Sequence, residues 1–586
     1  MSKKEDEMII LGIHTGHDGA AALFVEGELV AYCKEERLSR KKSDGHRLTL
    51  SSIDEVLEIA GIERSQIDVA CLSRMNLPLR HFKRTSMPIR NIWRGLRGKT
   101  RSLGGEMTLL QEPDPFELVH EDLIRQDLGL RDDARITFAN HHYTHVLGAF
   151  KYTTWEKDAL YISADGGGDG TTYAAYGWDG ETLTCLYGGE EFLIDRKQKS
   201  AASIGLAYQS VTKHLGFRPN RHEGKITGLA AFGKPIIGDR IRALFTIHPD
   251  GSFDAEHLHY DEVMTAMAAM EPGISREDLA SSIQYALEVV ILDWVEVLRK
   301  RFPARYIGMS GGVFSNVRLN QKVAELPGVE EAYIFPGMGD EGLPVGNCVH
   351  MEIETAGLQN LKRGSLPNAY LGRCYDCAAL TDAAEKRGGF RIQTHDDPSA
   401  PAAELLSHGR IGAIFSQRME MGPRALGARS IMAAPVKKSL NDTLNGRLNR
   451  TEFMPFAPFV LDEDAERVFV IDDTNREACR FMTITTDVRE AFHGMMPAVV
   501  HVDGTARPQI IERETNPLYY DTLKEYRDRT GIPCLVNTSF NAHEEPIINT
   551  PDEALTALAD GRIDFLVCET ALIFSVKTAD AILDTP

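Results

Sequence analysis

The feature that most constrains this chain is a strand that ends in a glycine-rich turn, a pattern met three times. Ala159-Leu160-Tyr161-Ile162-Ser163-Ala164 runs into Asp165-Gly166-Gly167-Gly168-Asp169-Gly170, and β-type residues resume from Thr171 to Tyr176. Arg305-Tyr306-Ile307-Gly308-Met309 runs into Ser310-Gly311-Gly312, and the apolar run Met8 to Ile13 into Thr15-Gly16-His17-Asp18-Gly19. One such turn is usually only a turn. Three, each carrying Asp or Ser, suggest a nucleotide site where backbone amides approach phosphates.

The first of these units continues as Ala20 to Phe24, Gly27 and Leu29 to Cys33, which reads as a β-hairpin or meander. Between the strands, apolar residues recur at three- and four-residue steps over Ser51 to Ala60 and Leu279 to Arg299, the spacing of helices. Alternating strands and helices predict an α/β or mixed α+β architecture. At 586 residues the chain exceeds what one core usually holds, so several folding units are expected. The periodicity lapses and Gly, Asn, Lys, Arg, Ser and Pro accumulate from Gly357 to Gly372, where the main domain boundary is placed.

Charge and cysteine usage narrow the function classes. A formal net charge of -20 repels polyphosphate backbones and argues against a nucleic-acid-coating role. Against that background residues 74–101 hold Arg74, Arg80, Lys83, Arg84, Arg90, Arg94, Arg97, Lys99 and Arg101 and no acid. This stretch reads either as a solvated loop or subunit contact, or as an entrance attracting an anionic acceptor. The nine scattered cysteines fit a reducing compartment better than a disulfide framework, and Cys374 and Cys377 read as ordinary thiols in a turn. No signal-type segment or membrane span is read, so the expected location is cytoplasmic.

His141-His142-Tyr143-Thr144-His145 precedes a plausible helix, on which His141 and His145 share a face while His142 points elsewhere. A pair four residues apart can grip one metal, and it also arises by chance in a chain with 19 His. Asp340, on the glycine-rich loop Pro336 to Gly342, is the candidate third ligand. Two imidazoles and one carboxylate suit iron(II) or zinc. The zinc-protease glutamate is absent from the motif, so metalloproteolysis is not indicated.

Taken in order, these motifs resemble those of the O-carbamoyltransferases of the nodulation-protein-U and cephalosporin/tobramycin carbamoyltransferase type. The resemblance runs through His17 to Leu23, Glu35 to Lys42, Asn140 to His145, Asp165 to Asp169, Glu223 to Leu229 and Ser310 to Asn316. It continues through Met421 to Ser430, Asp503 to Gln509 and Asn537 to Asn541, and so covers almost the whole chain. It implies a two-lobed actin/sugar-kinase-like (ASKHA) domain over residues 1–360 and a YrdC-like α/β domain over 365–586. The implied reaction uses carbamoyl phosphate and ATP to form carbamoyl-adenylate, releasing phosphate and pyrophosphate. A hydroxyl of a small acceptor such as a sugar or polyketide then takes the carbamoyl group.

The residues suit that chemistry. Forked guanidinium groups recognise phosphate oxygens in pairs, and Arg424, Arg429 and Arg507 stand in glycine-rich motifs. Ser539 and Asn541, two apart on an extended segment, point to one face. His17 is the candidate base for the acceptor hydroxyl. Amides of Gly167, Gly168, Gly311 and Gly312 are expected to cradle the nucleotide, with Asn316 close by; Lys225 meets either a phosphate or a glutamate. One departure stands out: where many relatives carry Lys-x-Arg-Glu, this chain reads Asn449-Arg450-Thr451-Glu452, so Arg447 or Arg450 would supply the positive charge. The expected cofactors are a divalent metal, iron before zinc, and ATP with magnesium; no nucleic acid or membrane partner is expected, and a homodimer is an admissible assembly. The alternatives weighed beside this reading are a catalytically silent nucleotide- or glycan-binding relative and transfer to an amine or a tRNA base.

Overall fold

The computed structural model describes residues 8–74, 76–83, 108–109, 114–189, 202–255, 260–450 and 455–583. Most of the basic stretch and Thr451 lie outside them. Among the described residues of that stretch, Arg80 pairs with Asp127 and Lys83 donates to the Phe116 carbonyl at 2.7 Å.

The N-terminal part holds the same sheet twice. In the first, β1 (Ile9–His14), β2 (Ala20–Val25) and β3 (Glu28–Lys34) form an antiparallel meander, and β4 (Val69–Ser73) and β5 (Arg135–Ala139) add in parallel beyond β1, giving the order β3-β2-β1-β4-β5. In the second, β6 (Ala159–Gly168), β7 (Thr171–Trp178) and β8 (Leu183–Tyr187) form the meander, and β9 (Tyr306–Ser310) and β10 (Glu331–Ile334) extend it in parallel as β8-β7-β6-β9-β10. The meanders follow from short turns such as Glu26-Gly27, where both residues have positive φ. The parallel additions need the crossovers that helices supply. This repeated order is the two-lobed, sugar-kinase-like plan implied by the resemblance.

Five helices position the site: α1 (His141–Lys151), α2 (Glu223–Ala230), α3 (Arg276–Arg301), α4 (Val317–Ala324) and α5 (Leu343–Ala356). Asn140 starts α1 by accepting the Tyr143 amide at 2.9 Å, and Asn316 starts α4 by accepting that of Leu319 at 3.1 Å, as N-caps do. α1 and α5 pack together between the two sheets and bury Val146, Phe150, Val345 and Val349.

The C-terminal part is α/β, built on an eight-stranded mixed sheet. Its strands are β11 (Phe390–Thr394), β12 (Gly412–Phe415), β13 (Arg429–Ala433), β14 (Ala457–Leu461), β15 (Gln509–Ile511), β16 (Cys534–Ser539), β17 (Phe565–Cys568) and β18 (Ala571–Ser575), in the order β11-β18-β17-β12-β13-β16-β14-β15. It is joined tightly to both lobes. Asn320 on α4 donates to the Thr483 carbonyl at 2.7 Å, and Arg373 grips Glu55 of the first lobe through two bonds of 2.7 Å.

The cysteines depart from the sequence reading. Cys374 ends a short strand as an exposed thiol, but Cys377 opens a helix and is joined to Cys568 across 191 residues. Only the packing of that helix on the β17–β18 hairpin brings the two together, so no local spacing announces the pair. No helix among the described residues is long and apolar enough to cross a membrane.

Candidate functional site

Two constellations converge where the parts meet. The first is a cluster of His141, His145, Asp165 and Asp340, whose ligand atoms all lie within 4.8 Å of one another. α1 presents His141 and His145 one turn apart, β6 contributes Asp165, and the loop after β10 contributes Asp340. Asp165 Oδ2 lies 3.7 Å from His141 Nε2 and 3.2 Å from His145 Nε2, and Asp340 Oδ1 lies 3.6 and 3.5 Å from them. The arrangement is built in. Asp169 accepts the His141 amide at 2.6 Å, and a Cβ on Gly168 would sit 2.3 Å from the His141 ring. His142 faces away: its Nε2 donates to the Thr171 carbonyl at 3.1 Å and its Nδ1 meets Ser163 Oγ at 2.9 Å.

The electrostatics of the cluster call for positive charge. Burial alone would lower the imidazoles, but Asp165 and Asp340 carry His145 up to about 9. His17 is likewise desolvated, yet Asp340, Asp18 and Asp165 push it up to about 10. Burial pushes His14, behind the cluster, down to about 4. Asp165, opposed by burial, is held well below the usual carboxylate range by His141 and His145. His141 Nε2, His145 Nε2 and Asp340 Oδ1 are buried without a hydrogen-bond partner. Two carboxylates facing imidazole nitrogens with unused lone pairs fit a divalent cation.

His17 stands at the edge of this cluster, 36% exposed, with Nδ1 donating to Asp18 at 3.2 Å and Nε2 3.5 Å from Asp340. Asp18 in turn receives Lys34 at 2.8 Å; Lys34 lies 3.6 Å from Glu36, and Glu36 lies 3.5 Å from Lys42. A chain of alternating charges therefore leads away from the cluster, and Lys42 at its far end lines the second constellation.

That second constellation is a cavity of about 330 Å³ walled by both parts of the chain. Lys42, Arg221, His222 and Lys225 come from the N-terminal part, and Arg424, Arg450, His501, Arg507, Ser539 and Asn541 from the C-terminal part. Ser539 and Asn541 do share a face, since their side chains bond at 2.6 Å. Arg450 holds them from behind, reaching Thr538 Oγ1 at 2.8 Å, Ser539 Oγ at 3.1 Å and the Asn541 carbonyl at 2.7 Å. Arg424 donates to the Ser315 carbonyl at 3.3 Å, and burial pushes its guanidinium down to about 10. Glu544 closes the wall by accepting from Arg218 at 2.9 Å, Arg221 at 2.8 Å and His222 at 2.7 Å.

Six of the expected nucleotide- and phosphate-binding residues do not line this cavity. Arg429 is fully buried and does not line the cavity; its guanidinium lies 3.8 Å over the Phe415 ring and donates to the Ser416 and Ala428 carbonyls. Gly311 (φ 99°) is packed so closely that a Cβ would lie 2.3 Å from the Ala164 carbonyl, and its amide is already given to Met338. The Gly312 amide meets Asp165 at 3.3 Å, Gly168 lies against His141, Gly167 faces Thr171 and Thr172, and Asn316 bonds Gln284 at 2.8 Å. Lys225 lies in the cationic cavity, with its ammonium 5.9 Å over the Phe217 ring.

Sequence reasoning assigns no role to Asp165, Lys42, Arg221, His501 or Glu544. Asp165 and Lys42 stand inside recognised motifs, and His501 two residues before one. Arg221 and Glu544 carry no local signal, because they meet only across the joint. The constellations themselves are in contact: a Cβ on Gly422, beside Pro423 and Arg424, would lie 2.5 Å from the Pro336 carbonyl, at the root of the loop that carries Asp340.

Known proteins share this organisation in sequence. Residues 9–349 match the family model described as carbamoyltransferase N-terminus, and residues 403–575 that described as carbamoyltransferase C-terminus. The chain is 30% identical to nodulation protein NolNO of Sinorhizobium fredii over 95% of its own length and 79% of that protein's. It is 31% identical to nodulation protein NolO of Bradyrhizobium diazoefficiens over 74% and 78% of the two lengths. Among solved structures, full-length HypF in its phosphate- and nucleotide-bound form is similar at a TM-score of 0.31 and 14% identity, covering 60% of this chain and 56% of that one.

Proposed function

The chain belongs to the carbamoyltransferase family, and from that premise we propose that it is an ATP-dependent O-carbamoyltransferase with two sites. The observation that carries the reading is the contact between a cation-walled cavity and a buried cluster of imidazoles and carboxylates. On this reading residues 365–586 form carbamoyl-adenylate and residues 1–360 transfer its carbamoyl group.

Carbamoyl phosphate and ATP enter the cavity with magnesium, where Arg424, Arg507 and Lys225 oppose the phosphates and Arg450 holds Ser539 and Asn541 against them. Anions so concentrated would not enter a chain of charge -20 without a local cationic field. Phosphate and pyrophosphate leave, and the adenylate passes to the site at His17.

At the second site His141, His145, Asp165 and Asp340 would hold a divalent ion, iron(II) or zinc by donor type. When bound, that ion supplies Lewis-acid polarisation of an oxygen of the intermediate. Asp18 holds Nδ1–H, so Nε2 is the atom that takes the proton of the attacking hydroxyl.

The test is pyrophosphate release from ATP by metal-replete protein, with and without carbamoyl phosphate. Release that depends on carbamoyl phosphate is expected. Its absence would leave a silent nucleotide-binding relative as the better reading.

A further inference from the structure

Resting on that reading, the first step of the reaction poses a problem of atom balance. An adenylate forms when a carboxylate attacks the α-phosphorus of ATP, but carbamoyl phosphate is an acyl phosphate and offers no free carboxylate. The atoms balance only with water: carbamoyl phosphate and water give carbamate and phosphate, and carbamate with ATP gives carbamoyl-adenylate and pyrophosphate. The attacking water must lose a proton and the departing phosphate must gain one. Ammonium and guanidinium groups, such as those of Lys42, Arg221, Lys225, Arg424, Arg450 and Arg507 on the wall, donate hydrogen bonds and offer no lone pair to a proton. Of the other titratable groups on the wall, Glu544 is held by Arg218, Arg221 and His222, His543 is stacked on the His222 ring with centroids 5.5 Å apart, and Glu545 is held by Arg562 at 2.9 Å.

His501 is different. It lines the cavity, is 8% exposed, and its Nε2 is buried without a hydrogen-bond partner. Its Nδ1 donates to Asp503 Oδ1 at 3.1 Å. A turn fixes that pair: the Gly504 amide donates to the His501 carbonyl at 3.0 Å, with Gly504 at φ 83°, and the His501 amide donates to Thr505 at 2.8 Å. Asp503 Oδ1 also accepts from Thr505 Oγ1 at 2.7 Å and from its amide at 3.1 Å. The carboxylate therefore stays ionised and keeps the ring proton on Nδ1, leaving the lone pair on Nε2.

We infer that His501 and Asp503 are the proton shuttle of carbamate formation. Nε2 of His501 takes a proton from water as its oxygen bonds the carbamoyl carbon. The bond between that carbon and the phosphate's bridging oxygen breaks, the phosphate leaves with the electron pair, and Nε2 returns the proton to it; the carbamic acid so formed ionises to carbamate, giving water's second proton to solvent. Asp503 is a positioning residue that sets the tautomer.

His501→Gln and Asp503→Asn, assayed as full-length metal-replete protein, test this with two donors. With carbamoyl phosphate, both variants should lose about 100-fold in phosphate and pyrophosphate release. With ammonium carbamate supplied instead, both should release pyrophosphate from ATP at the wild-type rate, a rescue that a merely damaged cavity could not give. Variants that keep wild-type rates with carbamoyl phosphate overturn the inference, as do variants silent with both donors or a wild-type protein that ignores carbamate. A wild-type protein that releases no pyrophosphate with either donor overturns the parent reading.

Discussion

Glu36→Gln is the perturbation whose size the structure fixes most closely. Glu36 is 1% exposed and lies 3.6 Å from Lys34, 3.1 Å from Arg37 and 3.5 Å from Lys42, while Lys34 and Arg37 are themselves buried. Burial would raise its carboxyl, but Lys34, Arg37 and Lys42 carry it down from the usual 4.5 to about 2. At 1.36 kcal/mol per unit, that displacement is worth about 3 kcal/mol. The amide leaves buried Arg37 without its carboxylate, while Lys34 keeps Asp18; breaking a buried pair in this way typically costs roughly 3–5 kcal/mol. A unit the size of residues 9–349 unfolds with an entropy of about 0.7 kcal/mol per kelvin, so its melting temperature should fall by about 4–7 °C. Calorimetry at pH 7 reads this directly. The sign of the pH dependence is a second check. A depressed carboxyl stabilises the fold fully above its unfolded value of about 4.5 and loses that contribution as pH falls toward 2. The gap between wild type and variant should therefore narrow by about half on acidification from pH 5 to 3. A fall of under 1 °C at pH 7, or a gap that stays constant to pH 3, would refute the reasoning.

Other changes separate the two sites. Arg424→Glu places a carboxylate against the phosphates and should abolish pyrophosphate exchange dependent on carbamoyl phosphate; surviving exchange would remove Arg424 from the cavity's chemistry. Gly168→Ala drives a methyl to 2.3 Å from the His141 ring; it should cost roughly 1–3 kcal/mol and cut bound metal, measured by elemental analysis, while pyrophosphate release continues. Arg429→Ala removes a buried guanidinium from the Phe415 face and should cost about 2 kcal/mol or more, with KM for carbamoyl phosphate unchanged. A raised KM would return Arg429 to the substrate.

The duplicated sheet was legible because each lobe opens with a strand, a glycine-rich turn and a second strand, a pattern local in sequence. His141 and His145 were legible for the same reason, since helical periodicity places them on one face. Arg429 misled because a forked cation in a glycine-rich motif looks the same whether it meets a phosphate or an aromatic ring. Strand alternation and the approach of Phe415 decide that, and both depend on tertiary pairing. At Gly168 and Gly311 close approach is the physical reason for glycine, and what approaches is the His141 imidazole in one case and the Ala164 carbonyl in the other, neither of them legible in the local sequence. The cavity could not be read at all as a unit, because Lys42, Arg221 and Lys225 meet Arg424, Arg450 and Arg507 only when the two parts dock.

If one chain makes an activated carbamoyl group at one site and transfers it at another, disabling the second site should leave the first running. Asp340→Asn tests it most directly, since Asp340 belongs to the second site and is absent from the wall of the first. Given isotopically labelled carbamoyl phosphate and ATP, the variant should release pyrophosphate at the wild-type rate and accumulate labelled carbamoyl-adenylate, detected by mass spectrometry. Loss of pyrophosphate release in a folded Asp340→Asn protein, or release with no labelled adenylate, would contradict the account.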